Sequence, residues 1–203
     1  MKFALMSIVL GTALASTAGM ASAQFGGLGK TSNAGGITAD QIVQRYLGGT
    51  RTVMQANSTM LDAVGLKTEA GQASAQAGNL TESATKEVME ESSKVQTANS
   101  KSLEAKLADT STTLDAAGKK KFASGVVELA KGVVAYAGLG KDASGFKPGL
   151  GSLGGSAGSA LFVARSLPES TKNLVQTLKL AINFCKTNKI PVPKEATDAT
   201  SLI

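Results

Sequence analysis

Chemistry in this chain has to come from lysines, carboxylates, hydroxyls and a single thiol, because it holds no His and no Trp and one Cys. Without imidazole there is no Ser-His-Asp triad, no Cys-His pair and no histidine ligand for zinc or haem. One Cys allows no intrachain disulfide and no thiolate cluster. Cys185 stands at helical spacing from Leu178 and Ile182. It therefore reads as a small buried hydrophobe rather than a reactive or interchain thiol. The carboxylates are spread along the chain with no tight, apolar-embedded pair, so no acid/base couple is nominated. Residues Gly26 to Thr31 end in Gly-Lys-Thr. They lack the full spacing of a phosphate-binding loop, and no strand precedes them. No catalytic residue, cofactor site or metal site is predicted.

Two groups of residues remain as candidate surfaces. The first is a run of glycines. Gly118, Gly125 and Gly132 recur every seven residues, and Gly-Val-Val occurs at both 125–127 and 132–134. Each interior Gly costs a helix about 1 kcal/mol against Ala, so such a strip marks close backbone approach. Downstream, Gly151, Gly154, Gly155 and Gly158 lie in an uncharged run over 148–164. The first reading is two core helices packed through small residues, with the helix carrying Gly155 and Gly158 as partner to the strip. The second is a membrane-active helical hairpin over 118–164. The uncharged run sits near the lower limit of ~17 residues for a span, and Glu128 and Lys131 interrupt its partner. The second group is Lys119-Lys120-Lys121, a candidate anion-facing site.

The elements that position these residues read as helices. Thr38 precedes Gln41 by three, a capping box, and Ile37 and Ile42 flank it as a hydrophobic staple. Val43, Tyr46, Leu47, Met54, Leu61 and Val64 share one face of a helix over 38–64, which Gly65 ends. Residues 66–78 suit a short Ala-rich helix. Asn79 and Glu82 form a second capping box, opening a polar helix over 80–107. Its inner stripe is read as Ala84, Val88, Glu91, Val95, Ala98, Ser102 and Ala105, and it should be the most exposed helix. Thr112 or Asp115 caps a strongly amphipathic helix over 113–139 that carries Phe122, Val126, Leu129, Val133 and Tyr136. A helix over 152–166 follows. Pro168 then opens another, with Leu174, Leu178, Ala181, Ile182 and Cys185 inside. The expectation is an all-α, irregular bundle of about five to six helices over 37–190. An extended C-terminal tail over 191–203 follows, whose last ten residues are a tail or a short helix.

The N-terminus supplies an address. Residues 1–23 begin with Lys2, continue through an apolar stretch from Phe3 to Leu14 and end Ala21-Ser22-Ala23. This is the pattern of a secretory signal peptide cleaved before Gln24. The apolar stretch is far shorter than the ~20 residues of a spanning helix, and Gln24 stands where a lipoprotein needs Cys. Residues 24–36 read as a flexible Gly-rich arm. The expected location is the bacterial periplasm or the outside, where the acceptor patterns at Asn57 and Asn79 are chance matches.

Loss of residues 1–23 removes one charge from a total of +6 and leaves +5. That charge is uneven: +1 over 24–80, −3 over 81–118 and +7 over 119–203. The basic portion suits an anionic surface. Nucleic acid is not expected, since beyond residue 23 only Arg45, Arg51 and Arg165 supply forks and stacking aromatics are few. The same scarcity argues against a sugar-stacking platform. The function expected is binding to an envelope protein or anionic surface, or a structural role, without catalysis. A membrane-interacting protein is the first alternative, and an enzyme using carboxylates or Ser/Lys is the second.

Overall fold

Helix boundaries follow from caps that can be named residue by residue. In a computed structural model, which describes residues 37–146 and 156–202, the order is α1 Ala39–Ala63, α2 Lys67–Asn79, α3 Lys86–Ala108, α4 Ala116–Ala143, α5 Ala157–Thr187 and α6 Lys194–Ser201. No strand occurs among the described residues. The protein is an all-α bundle. The leader expected at 1–23, the arm expected at 24–36 and Gly151, Gly154 and Gly155 lie outside the described residues.

The Thr38 capping box forms. The Gln41 backbone N–H donates to Thr38 Oγ1 at 3.2 Å, and the Thr38 N–H donates to Gln41 Oε1 at 3.0 Å. At the other end Gly65 adopts φ +88°. Its N–H donates to the Asp62 carbonyl, and the Leu66 N–H donates to the Leu61 carbonyl. This paired closure satisfies carbonyls that the last turn leaves open. Helix α5 ends the same way. Lys189 holds φ +55°, its N–H meets the Lys186 carbonyl, and the Ile190 N–H meets the Cys185 carbonyl.

Helices α1 and α4 form the most extensive pair and run antiparallel. Ile42, Tyr46, Val53, Met54 and Met60 of α1 are buried with Phe122, Val126, Leu129, Val133 and Tyr136 of α4. The inner face of α5, including Leu174, Leu178, Ala181 and Cys185, closes the same core. Helix α2 contributes only Ala70, Ala73 and Ala77.

Four expectations need correction. First, α3 is capped by Thr85 and begins at Lys86; Asn79, the cap expected from the sequence, is instead the last residue of α2. Thr85 accepts from the Val88 N–H, while the Glu82 carbonyl accepts from Gln44 Nε2 at 3.1 Å. Second, the inner stripe of α3 is Met89, Ser92, Gln96, Asn99 and Leu103, rotated by about one residue from the stripe read in the sequence. Gln96 Oε1 lies 3.3 Å from the Tyr136 hydroxyl of α4, and Ser92 Oγ accepts from Gln76 Nε2 of α2 at 2.7 Å. Third, α5 runs unbroken through Pro168. Proline inside a helix costs ~3 kcal/mol or more, but Val163, Leu167 and Leu174 are buried on both sides of it while Pro168 itself faces solvent. Burial of that inner face holds the helix together. Fourth, the stretch over 191–203 is not extended throughout, and of the two readings of its last ten residues the short helix holds. Residues Lys194–Ser201 form α6, whose Ala196 and Ala199 are buried, with α4 as its main neighbour.

Candidate functional site

The glycine strip of α4 lies along α1. A β-carbon built on Gly125 would stand 2.5 Å from Met60 Cγ and 3.2 Å from both the Ala56 carbonyl oxygen and the Met60 backbone nitrogen. On Gly132 it would stand 2.5 Å from Val53 Cγ2. On Gly118 it would meet Asp115 Oδ1 at 3.1 Å and the Ala63 carbonyl at 3.6 Å. Gly125 and Gly132 therefore set the approach of α4 to α1, and Gly125 brings it against backbone, whereas Gly118 is crowded by the cap of its own helix and only touches α1. The expected partner was the helix carrying Gly155 and Gly158. That is corrected here, because a β-carbon on Gly158 would meet nothing within 4 Å. In the helix pair the strip is a seam of the core, and α1 supplies its other half.

Helix α4 is nonetheless the one helix among the described residues long and apolar enough to cross a membrane, and half of its most apolar stretch is buried in the bundle. Its exposed side carries Val134, 43% exposed, beside Lys131 and Lys141.

The lysine run does not make one anion-facing site. Successive helix residues are turned by about 100°, so three in a row point to different sides. Lys121 pairs with Asp62, whose carboxylate also takes Lys67. Lys119 is half-buried and Lys120 is exposed. The start of α4 already holds an anion of its own, because Asp115 Oδ1 accepts the Gly118 N–H at 2.6 Å.

A layer of polar groups crosses the interior where α1, α3 and α4 meet. The Thr50 and Tyr136 hydroxyls lie 2.7 Å apart. Tyr136 Oη also lies 3.3 Å from Gln96 Oε1, and Thr50 Oγ1 lies 2.8 Å from the Tyr46 carbonyl; with one proton on each hydroxyl, two of these three contacts carry a hydrogen bond at a time. The Tyr46 and Tyr136 rings pack at 5.7 Å between centroids, and Phe162 meets Tyr46 edge-on. Burial raises the pKa of both tyrosines, Tyr136 the more strongly, so both phenols stay protonated at neutral pH. Further along, both side-chain polar atoms of Asn57, the Asn99 amide nitrogen and the Ser100 hydroxyl are buried without a partner among the described residues. Asn57 is therefore not an accessible acceptor for a glycan.

Of the remaining titratable groups Cys185 is buried, and the carboxylates are exposed or half-buried. None of the Asp and Glu side chains is fully buried. Seven of them (Asp62, Glu90, Glu91, Asp109, Glu128, Asp142 and Asp198) meet a Lys or Arg within 4 Å. Glu87 is shifted down by its own backbone N–H and the Thr85 hydroxyl. Asp109 is shifted down by the Ser111 hydroxyl and N–H. Burial pushes the Cys185 thiol up to about 11. No three of Asp, Glu and Cys converge on a metal-sized site among the described residues. A shallow, open depression lies on the outer face of α3, lined by Ser93, Lys94, Thr97, Ala98 and Lys101.

The exposed face of α5 was not singled out from the sequence. It carries Arg165, Lys172, Lys179 and Lys186, one every seven residues, all exposed. A search for basic residues at helical period, rather than for the densest local run, would have found them. No protein family, curated protein or solved structure matches this chain.

Proposed function

We propose that this is an exported bacterial envelope protein that acts by binding, or as a structural component, and carries out no catalysis of its own. The observation that carries the reading is the distribution of titratable groups. General acid/base work calls for a group held in an environment that shifts its pKa toward the working pH. Here the carboxylates are exposed or half-buried, seven in ion pairs, and the two with resolved shifts both go down. The buried phenols and thiol go up, away from neutrality. The leader pattern of residues 1–23 supports export.

Cell fractionation with mass spectrometry tests the location. The expected product begins at Gln24 in the envelope or the medium. A cytoplasmic protein that keeps Phe3 to Leu14 overturns it. A pull-down from envelope extract with the exported protein tests the mode of action.

The length and apolarity of α4 favour a second reading, a membrane-interacting protein that uses 118–164. It requires α4 to leave α1, exposing Val126, Leu129 and Val133, which are now buried. Flotation with liposomes separates the two readings, since the first expects the folded protein to stay at the bottom of the gradient.

A further inference from the structure

We infer that the outward face of α5 is a docking strip for a linear acidic polysaccharide. This rests on the reading of the protein as an exported binder and names the chemistry of its partner. Arg165, Lys172, Lys179 and Lys186 fall on a single arc of the helix. At 1.5 Å per residue they span about 31 Å at intervals of about 10 Å. Between them on the same arc stand Glu169, Gln176 and Asn183, also exposed. Glu169 is the only acid in α5. None of the four cations meets a carboxylate within 4 Å among the described residues. Most other lysines of the bundle behave differently: Lys67, Lys86, Lys94, Lys106, Lys121, Lys131 and Lys194 all have an acidic partner. A row of charges left uncompensated in this way attracts an anion of matching shape.

The shape is a line one residue wide, which fits a chain better than a plane. A bilayer surface would be held more firmly by an apolar side chain reaching into it. The exposed large hydrophobic residues among those described are Val134 and Leu202, neither of them on α5. A nucleic acid would be served by stacking aromatics and several guanidinium forks, and this arc has one Arg and no aromatic. The Gln176 and Asn183 amides are donors and acceptors suited to sugar hydroxyls and carboxylates. With no ring to stack on a sugar face, the attraction is carried by charge and must weaken with salt.

The test uses the exported protein with polygalacturonate as the probe and neutral dextran as the control, at low and at moderate salt. The same measurement is made with anionic phospholipid vesicles and with a single-stranded oligonucleotide. The expected result is salt-sensitive binding to polygalacturonate that falls about tenfold or more in the triple variant Lys172→Gln, Lys179→Gln, Lys186→Gln. The triple variant Lys119→Gln, Lys120→Gln, Lys131→Gln removes the same charge elsewhere and should change binding far less. Glu169→Lys should strengthen it. Equal losses in the two triple variants, no binding to polygalacturonate, or tighter stripe-dependent binding to vesicles or oligonucleotide would each overturn the inference. If the protein is exported and none of these probes binds, the docking strip falls and the exported-binder reading stands. If the protein stays in the cytoplasm, that reading falls whatever the strip binds.

Discussion

The hydroxyls of Thr50 on α1 and Tyr136 on α4 meet at 2.7 Å in the centre of the bundle. Each has a second partner, the Tyr46 carbonyl for Thr50 and Gln96 for Tyr136. Neither is therefore orphaned when the other is removed, and the cost of a single deletion should stay near that of one hydrogen bond. Thr50→Val and Tyr136→Phe are each expected to destabilise by about 1 kcal/mol. The double variant should cost less than the sum, because the two groups share an interaction. Urea melts of the four proteins in the cycle check this.

The glycine seam predicts substitutions of opposite sign on the same helix pair. Gly125→Ala should destabilise by about 1–3 kcal/mol, since the new methyl meets backbone as well as the Met60 side chain. Gly132→Leu should destabilise too, and Gly132→Ala should bring no gain, because Val53 fills the space. Gly48→Ala should stabilise by up to about 1 kcal/mol, as nothing lies within 4 Å of its position. A stabilised Gly125→Ala in thermal melts would mean that α4 does not sit against α1 as described.

Lys189 closes α5 in the left-handed region at φ +55°, where a β-carbon costs about 1–2 kcal/mol. Lys189→Gly is expected to raise stability by about 1 kcal/mol, and Lys189→Val to lower it. Comparison of the two melting temperatures gives the answer, and the order should be Gly above Lys above Val.

Alkaline pH should unfold this protein earlier than its charge alone would. Burial raises the pKa of Tyr46, Tyr136 and Cys185 from ordinary values of 10.0, 10.0 and 9.0. The folded state therefore keeps protons that the unfolded state releases. Stability is full below the unfolded values and falls as pH climbs through them. Urea midpoints should hold up to about pH 9 and drop from there upward, through the Cys185 value of about 11. Cys185→Ala should remove the part of the fall that begins near the thiol's ordinary value of 9.0. A flat profile would place these groups in contact with water.

The helices with strong apolar rhythm were legible in the sequence, and α1 is the fullest case: its capping box, staple, inner face and terminating Gly65 all follow from spacing. The strip at Gly118, Gly125 and Gly132 announced a close approach but not its partner, because residue spacing says which face is tight and nothing about which helix lies there. Helix α3 was misread for a different reason. Val88 and Val95 look like a seam, yet the helix turns Gln96 and Asn99 inward; Gln96 meets the Tyr136 hydroxyl, a partner far away in the chain, and nothing in the structure explains the inward turn of Asn99. Pro168 read as a boundary because the local rule counts its missing N–H, whereas the burial of Leu167 and Leu174 around it is a tertiary quantity. The basic arc of α5 was present all along at a period of seven, masked by the denser run at Lys119.

The inward-turned polar face of α3 also bears on how the molecule opens. With Met89 and Leu103 as the fully buried apolar anchors of that helix, and with Asn57, Asn99 and Ser100 gaining no partner from its docking, detaching α3 forfeits little burial and returns several groups to water. Regions of this kind undock on their own before the whole fold melts. In native-state hydrogen exchange, the α3 amides should form an early-exchanging cooperative unit, with urea dependence smaller than that of the α1 and α4 amides. The bundle would then behave as a slow-exchanging platform of α1, α4 and α5 with one hinged stave.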